Sequence, residues 1–459
     1  MRKRKRLPEI PVSLLPRRGL PNWARLTPTE IPESLVRMFP PETLRRFAVE
    51  SGLIERDRVV DPVALFWVLV LSFGIGLQRE LEMLRRAYRD LTQTHLAYSS
   101  FYDRFTPELV AFLKLCVTHG LGELRAAPGS TLDERLQQFH DLFIQDSSVI
   151  RLNAKLAKHW PATRARGNAA GVKVSALISL KANGPRRVEL HGERTAEIQT
   201  LKVGPWVRDA LLLMDLGFYK HQVFARIEEN GGFYLTRLKA NVNPLFLRSL
   251  TVHRGRAIDV AGKTWKEVGP RLTRELLDAE VELAFSRRAY EGKRSGDTLT
   301  ARMVAVWDEE AGEYHTYLTN VPVEVLTAEE VAELYQVRWD IELLWKEMKS
   351  QYSLDKLRTA NPVAIEALIW VGLLTLLVSR RINNLVREKA PPEYRMRYTQ
   401  QRWSILFREQ AWRLLDGMLA YLGVAGSAME VFEVVLGAYV TEAIDPHVHR
   451  KRPRQEWVR

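Results

Sequence analysis

The stretch "DLFIQDSSVIRL", Asp141 to Leu152, decides how the middle of this chain is read. It is rich in β-branched and large apolar residues, and period-two alternation places Leu142, Ile144, Asp146, Ser148, Ile150 and Leu152 on one face of a strand. Asp146 therefore shares its face mostly with aliphatic side chains. A buried carboxylate is costly unless it is paired, hydrogen-bonded or bound to a metal. Asp141 has the opposite parity and opens the strand, a position that predicts solvent exposure.

Strand-like segments follow on both sides of a helical pattern. "GVKVSALISLKA" and "RRVELHGER" read as strands, "AEIQTLKVGPWVRDAL" as helix-like, and "LLLMDLGFY" as a buried strand. The helix-like "KHQVFARIEENG" and the strand-like "GFYLTRLKA" complete a mixed α/β sheet. Asp215 ends the apolar run in "LLLMDLGFY", at the carboxyl end of its strand, where sites form in open α/β sheets. Asp209 precedes the same strand and lies at the opposite end. Residues 241–320 alternate short polar and apolar runs with turn signals such as "AGKT" and "GKRSGD", which predicts a β-rich insertion. Residues 29–125 and the chain from "LTAEEVAELYQ" onward read as helical. Two helices around the turn "FGIG" allow a helix-turn-helix, although most such pairs are structural.

The second informative stretch is "LYQVRWDIELLWKEMKSQY", residues 334–352. Treated as one helix at roughly 100° per residue, it puts Tyr335, Arg338, Glu342 and Lys349 in a sector of about 60°. Leu334, Val337, Ile341, Leu344 and Met348 form an adjacent apolar stripe, and Asp340 and Glu347 point to a third, solvent-facing sector. Two readings fit these residues. One is a surface helix whose Arg338 and Glu342 make an i,i+4 pair of about 0.2–0.5 kcal/mol. The other is a functional polar seam.

Composition narrows the classes. At 459 residues with 46% hydrophobic content, the chain suggests two to three domains with substantial cores. One cysteine, Cys116, excludes an internal disulfide and predicts a buried thiol in a reducing compartment. The apolar runs from Val63 and Ala367 fall short of the ~20 residues that span a bilayer, and the N-terminus lacks an apolar signal region, so a cytoplasmic protein without membrane contact is expected. The formal charge is +13. Residues 1–18 carry seven Lys/Arg against one Glu, and residues 447–459 five against one. Such arms suit a polyanion through counterion release. "GIGLQRE" is not a dinucleotide fingerprint because Arg79 occupies the third glycine's place, and Walker-type loops, G-x-S-x-G elbows and zinc spacings do not occur.

Asp146, Asp215 and Glu342 are three hard oxygen donors of the kind Mg²⁺ or Mn²⁺ prefers. A pair of such ions activates a nucleophile and stabilises the leaving oxygen of a phosphodiester. Tyr335-x2-Arg338-x3-Glu342-x6-Lys349, with "DSS" at Asp146 and "DLGF" at Asp215, resembles the signature of the bacterial DDE transposases of the insertion-sequence-four class. The resemblance covers roughly residues 136–360. It implies a ribonuclease-H-like mixed sheet (136–240 and 321–382) interrupted by the β-rich insertion (241–320). A basic arm (1–28) and a helical, candidate end-binding region (29–125) precede it, and a helical region with a basic tail (383–459) follows.

The same resemblance implies cut-and-paste movement of an insertion sequence. A homodimer would cleave and join the element's terminal repeats and target DNA, using two Mg²⁺ or Mn²⁺ ions held by Asp146, Asp215 and Glu342. Tyr335, Arg338 and Lys349 would contact DNA near the cleaved end. Where some relatives place a base-stacking Trp, this chain offers Tyr314 and His315. The alternatives are a DNA-binding relative without catalysis, such as a transposition inhibitor, and a stand-alone nuclease.

Overall fold

In a computed structural model the protein is described over residues 26–445, apart from 55–59, 74–80, 95–96, 127–131, 164–168, 251, 254–255, 288–294, 310, 396 and 425–427. Residues 1–25 and 446–459, which carry the basic charge of the two arms, and residues 74–76 of "FGIG" lie outside the described residues. Helices α1 (Glu30–Met38), α2 (Pro41–Glu50), α3 (Pro62–Phe73), α4 (Leu81–Thr92), α5 (Tyr98–Tyr102) and α6 (Pro107–Ala126) come first. Then follow β1 (Asp141–Leu152), β2 (Ala170–Ser179), β3 (Gly184–Gly192), the single turn α7 (Glu197–Thr200), β4 (Ala210–Met214), α8 (His221–Glu229) and β5 (Phe233–Arg237). The insertion supplies β6 (Leu245–Ser249), β7 (Val252–His253), β8 (Arg256–Ala257), α9 (Trp265–Val268), β9 (Leu276–Ser286), β10 (Gly296–Asp308) and β11 (Glu313–Thr319). The chain closes with α10 (Ala328–Tyr335), α11 (Trp339–Lys346), α12 (Pro362–Lys389), α13 (Pro392–Arg395), α14 (Gln400–Tyr421) and α15 (Ala428–Thr441).

Nine strands form one sheet in the order β3-β2-β1-β4-β5-β11-β10-β9-β6. β1, β4 and β5 run parallel, and the other pairings are antiparallel. All five residues of β4 are buried, as expected for a central strand covered on both faces. Leu142, Ile144, Leu211 and Leu213 face one core, and Phe143, Leu212 and Met214 face a second. The expected insertion is β-rich, but β11 pairs with β5, so its long strands extend the core sheet.

The helical regions at both ends of the sequence share the first core. α12 packs against α6, α3 and α1, and α3 also packs against α14. Every residue of α3 is buried, which explains an apolar run without a polar face. α12 is the one described helix long and apolar enough to cross a membrane, yet 83% of its most apolar window is buried in the protein. Its polar residues find protein partners: Thr375 donates to the Val70 carbonyl, Ser379 accepts from Trp403, and Asn383 and Asn384 accept from Asn183. α12 is thus the central helix of a core. Cys116 is buried, and burial pushes its thiol well above the usual range.

Three local expectations are corrected. "AEIQTLKVGPWVRDAL" forms only the turn α7 and a 3₁₀ turn at Pro205–Val207, because Gly204-Pro205 interrupts the helix. Asp141 is buried rather than exposed: its carboxylate accepts from Ser179 Oγ at 2.6 Å and from the Lys181 amide at 3.3 Å. Residues 334–352 are not one regular helix. A 3₁₀ turn at Gln336–Arg338 separates α10 from α11, and a π-helical turn at Glu347–Gln351 follows. The apolar stripe is buried as expected, but Glu347 turns inward and is 3% exposed. It pairs with Arg380 of α12 and accepts from Tyr352 Oη at 2.6 Å and Gln400 Nε2 at 2.9 Å. Those three donors make an inward carboxylate cheaper than a regular helix would suggest.

Candidate active site

β1 and β4 run side by side with Gln145 opposite Met214, so Asp215 follows the end of β4 at the level of Asp146, where β1 continues past its parallel partner. Asp215 opens the 3₁₀ turn Leu216–Phe218. Asp146 accepts from the Ser147 amide at 2.8 Å and from Trp345 Nε1 at 3.2 Å, which fixes α11 against β1. Burial pushes the Asp146 carboxyl up to about 6, against the Ser147 amide, Arg338 and Trp345.

Glu342 projects from the same helix as Trp345 and pairs with Arg338 at 2.9 Å. Burial opposes the Arg338 charge, but Tyr335, Glu342 and Asp215 outweigh it and raise its pKa. One guanidinium is therefore felt by all three acidic residues. It lies between the rings of Tyr335 and Trp339, 5.8 and 5.5 Å from their centroids. Its Nε is buried without a hydrogen-bond partner among the described residues. Tyr335 is buried and donates to the Met214 carbonyl at 3.3 Å, tying α10 to the end of β4. Burial pushes its phenol up to about 12. Burial lowers the Lys349 pKa, while Asp355 and Asp146 act to raise it.

Among the described residues, no three His, Cys, Asp or Glu side chains converge closely enough to hold a metal ion. The donor chemistry nevertheless fits a hard divalent cation. Asp146 is a desolvated carboxylate only partly compensated by its neighbours, and Asp215 and Glu342 supply oxygen donors of the same kind.

Sequence reasoning missed several participants. Glu197 accepts from Ser147 Oγ at 3.0 Å, and its charge acts to raise the Asp146 pKa. Its other oxygen lies 1.7 Å from where a Cβ on Gly217 would sit, so that glycine makes room for it. Glu197 thus bridges the segments after both strand aspartates; its place on a single isolated turn left no periodic signal. Trp345 and the 58% exposed Trp339 were visible only as residues of an amphipathic helix. Tyr314 is held within β11: it donates to the Leu272 and Arg274 carbonyls, and its ring packs on Trp265 and Trp307. His315 lies 3.6 Å from Asp308 and 3.8 Å from Glu313.

The family described as "Transposase DDE domain" matches residues 137–378, more than half of the chain. The chain belongs to this family. The transposase for insertion sequence element IS421 of Escherichia coli is 36% identical to it over 378 residues, covering 77% of this chain and 91% of the relative. Transposases for IS231F of Bacillus thuringiensis subsp. israelensis and IS1151 of Clostridium perfringens are 23% and 22% identical, over 75% and 76% of this chain and 78% and 80% of theirs. Membership makes this transposase an enzyme of DNA cleavage and strand transfer, and implies in general a Mg²⁺-dependent DDE mechanism. Its mixed sheet between helical regions is consistent with the ribonuclease-H-like fold of that family.

Proposed function

We propose that this transposase cuts the ends of an insertion sequence and joins them to target DNA, with Asp146, Asp215 and Glu342 as its metal ligands. The observation that carries this reading is the adjacency of Asp146, within β1, to Asp215, at the end of the parallel β4, with the helix that carries Glu342 held to Asp146 through Trp345 and Glu342 itself paired with Arg338. Mg²⁺ or Mn²⁺, as a pair of ions, would supply an activated oxygen nucleophile and neutralise charge on the leaving oxygen.

The chain's own groups bind and orient. Arg338 has a buried Nε without a partner and a second nitrogen on Glu342, so a DNA phosphate could take the place of that carboxylate. This exchange would free Glu342 to turn toward the aspartates when DNA arrives. Tyr335 holds the helix end against β4, and Lys349 adds a second cation for the backbone. In the joining step the 3′-hydroxyl oxygen of the element attacks a target phosphorus. A new P–O bond forms, the bond to the target's own 3′-oxygen breaks, and that oxygen leaves with a proton. Tyr314 and His315 are assigned base stacking, in which the fixed Tyr314 would act as a rigid platform. The protein would act on DNA in the cytoplasm, as a homodimer on paired ends and without a membrane partner.

Joining of a pre-cut end to a plasmid tests the reading. Strand transfer by wild type, absent in Asp146→Ala and Asp215→Ala, is the expected result. Cleavage without any joining would instead identify a nuclease.

A further inference from the structure

A cleft of about 780 Å³ opens where α6, the edge strand β3 and the start of α12 meet. Lys114, Arg125, Arg186, Arg187 and Lys202 line it, against the carboxylates Glu189 and Glu366. Glu366 is taken by Lys114 at 2.6 Å. Glu189 is shared among His191 at 3.3 Å, Lys202 at 3.8 Å and Arg187 at 4.0 Å. Arg125 and Arg186 have no ion-pair partner among the described residues.

The guanidiniums of Arg186 and Arg187 lie over aromatic rings, 4.7 Å from the Phe143 centroid and 5.1 Å from that of Trp206. Arg187 Nη2 is buried without a hydrogen-bond partner among the described residues. Burial lowers the Arg186 pKa; Asp141 opposes this, while Arg125 and Arg187 add to it. Five cations thus line one cleft against two carboxylates, both already engaged by cations of the chain. Their natural counter-ion is an anion from outside the chain.

We propose that this cleft binds the phosphodiester backbone of duplex DNA, as a site separate from the Tyr335–Lys349 segment. The length of the lining supports a backbone rather than a free phosphate or a mononucleotide. Lys114 and Arg125 are eleven residues apart on α6, about 16 Å along its axis. One DNA strand presents a phosphate roughly every 3.4 Å of axis, so about five fall within that span. The place in the sheet fits as well. Asp146 pairs with Ala176, and Ala176 with Val188, so β3 lies two strands from Asp146, about 10 Å away. DNA in the cleft would be the duplex running past the cleavage point, and in that respect the proposal rests on the transposase reading.

The test uses the full chain and the double variant Arg125→Glu/Lys202→Glu, both exposed positions. Anisotropy of a labelled random-sequence duplex in metal-free buffer is followed between roughly 50 and 200 mM salt. The expected result is a loss of about tenfold or more in affinity and a salt slope shallower by about 2, with unchanged melting temperature. Inorganic phosphate at millimolar concentration should not compete measurably. Unchanged affinity and slope would overturn the proposal. So would an equal loss in Arg226→Glu/Arg413→Glu, exposed cations of α8 and α14, because the effect would then be net charge alone. A changed oligomeric state with unaltered DNA binding would identify a protein interface instead and equally overturn it. Since the assay needs no cleavage, an inactive wild type would count against the proposed function and leave this readout intact.

Discussion

The buried pair between Glu347 and Arg380 offers the most quantitative prediction. The two side chains are 2% and 4% exposed, and they join the π-helical turn after Glu342 to the centre of α12. Replacing Arg380 with Met leaves Glu347 in the core with two neutral donors, Tyr352 and Gln400, and no cation. Breaking a buried pair from one side costs about 3–5 kcal/mol, and the remaining donors favour the lower end of that range. At about 2.1 cal/mol/K per residue, unfolding this chain as a unit carries roughly 1 kcal/mol/K of entropy, so about 3 kcal/mol lowers the melting temperature by about 3 °C. Calorimetry on wild type, Arg380→Met, Glu347→Gln and the double variant Glu347→Met/Arg380→Met measures this directly. The single variants should each fall by several degrees, and the double variant should recover most of the loss, because apolar replacement of both partners removes the stranded charge. Single variants within about 1 °C of wild type would refute the reasoning. The pair would then contribute little to the placement of Lys349 and Glu342.

Other outcomes follow from the same contacts. Glu197→Ala should reduce the end-cleavage rate by about tenfold with little change in melting temperature, and Glu197→Gln, which keeps an acceptor for Ser147 Oγ, should retain most of the rate. Gly217→Ala should mimic the loss, since the added Cβ displaces the Glu197 carboxylate. Trp339→Ala removes an exposed indole beside Arg338 and should weaken binding to element ends by about 1–2 kcal/mol, read by anisotropy, without loss of thermal stability. Burial, with the neighbouring Glu229 charge, pushes the Glu228 carboxyl up to about 7. The folded state then holds a proton that the unfolded chain releases near its ordinary value of 4.5, so stability falls as pH rises through that window and is flat above it. Glu228→Gln should therefore be more stable than wild type at pH 8 by roughly 1–2 kcal/mol, allowing for partial exposure, and the gain should vanish near pH 4.

The candidate site was legible in the sequence where local patterns are strong. Alternation in β1 put Asp146 among aliphatic neighbours, an apolar run ended at Asp215, and helical spacing grouped Arg338 with Glu342. The comparison with curated transposases confirms the family that those residues suggested. What remained hidden depends on partners far along the chain. Glu347 looked solvent-facing because Arg380 lies 33 residues later and the π-helical turn changes the angular register. Asp141 looked exposed because its donor Ser179 sits on another strand. The insertion read as a separate β unit, since the pairing of β11 with β5 spans some eighty residues and leaves no local trace. Glu197 occupies a single helical turn, too short to carry any period.

Cleavage of the element's terminal repeats with and without Mg²⁺, wild type beside Glu342→Ala, tests the central claim most directly. The account predicts metal-dependent cutting by wild type, and an uncut substrate with undiminished end binding in the variant. Equal cutting by Glu342→Ala would contradict it, since the carboxylate held by Arg338 would then have no part in the chemistry.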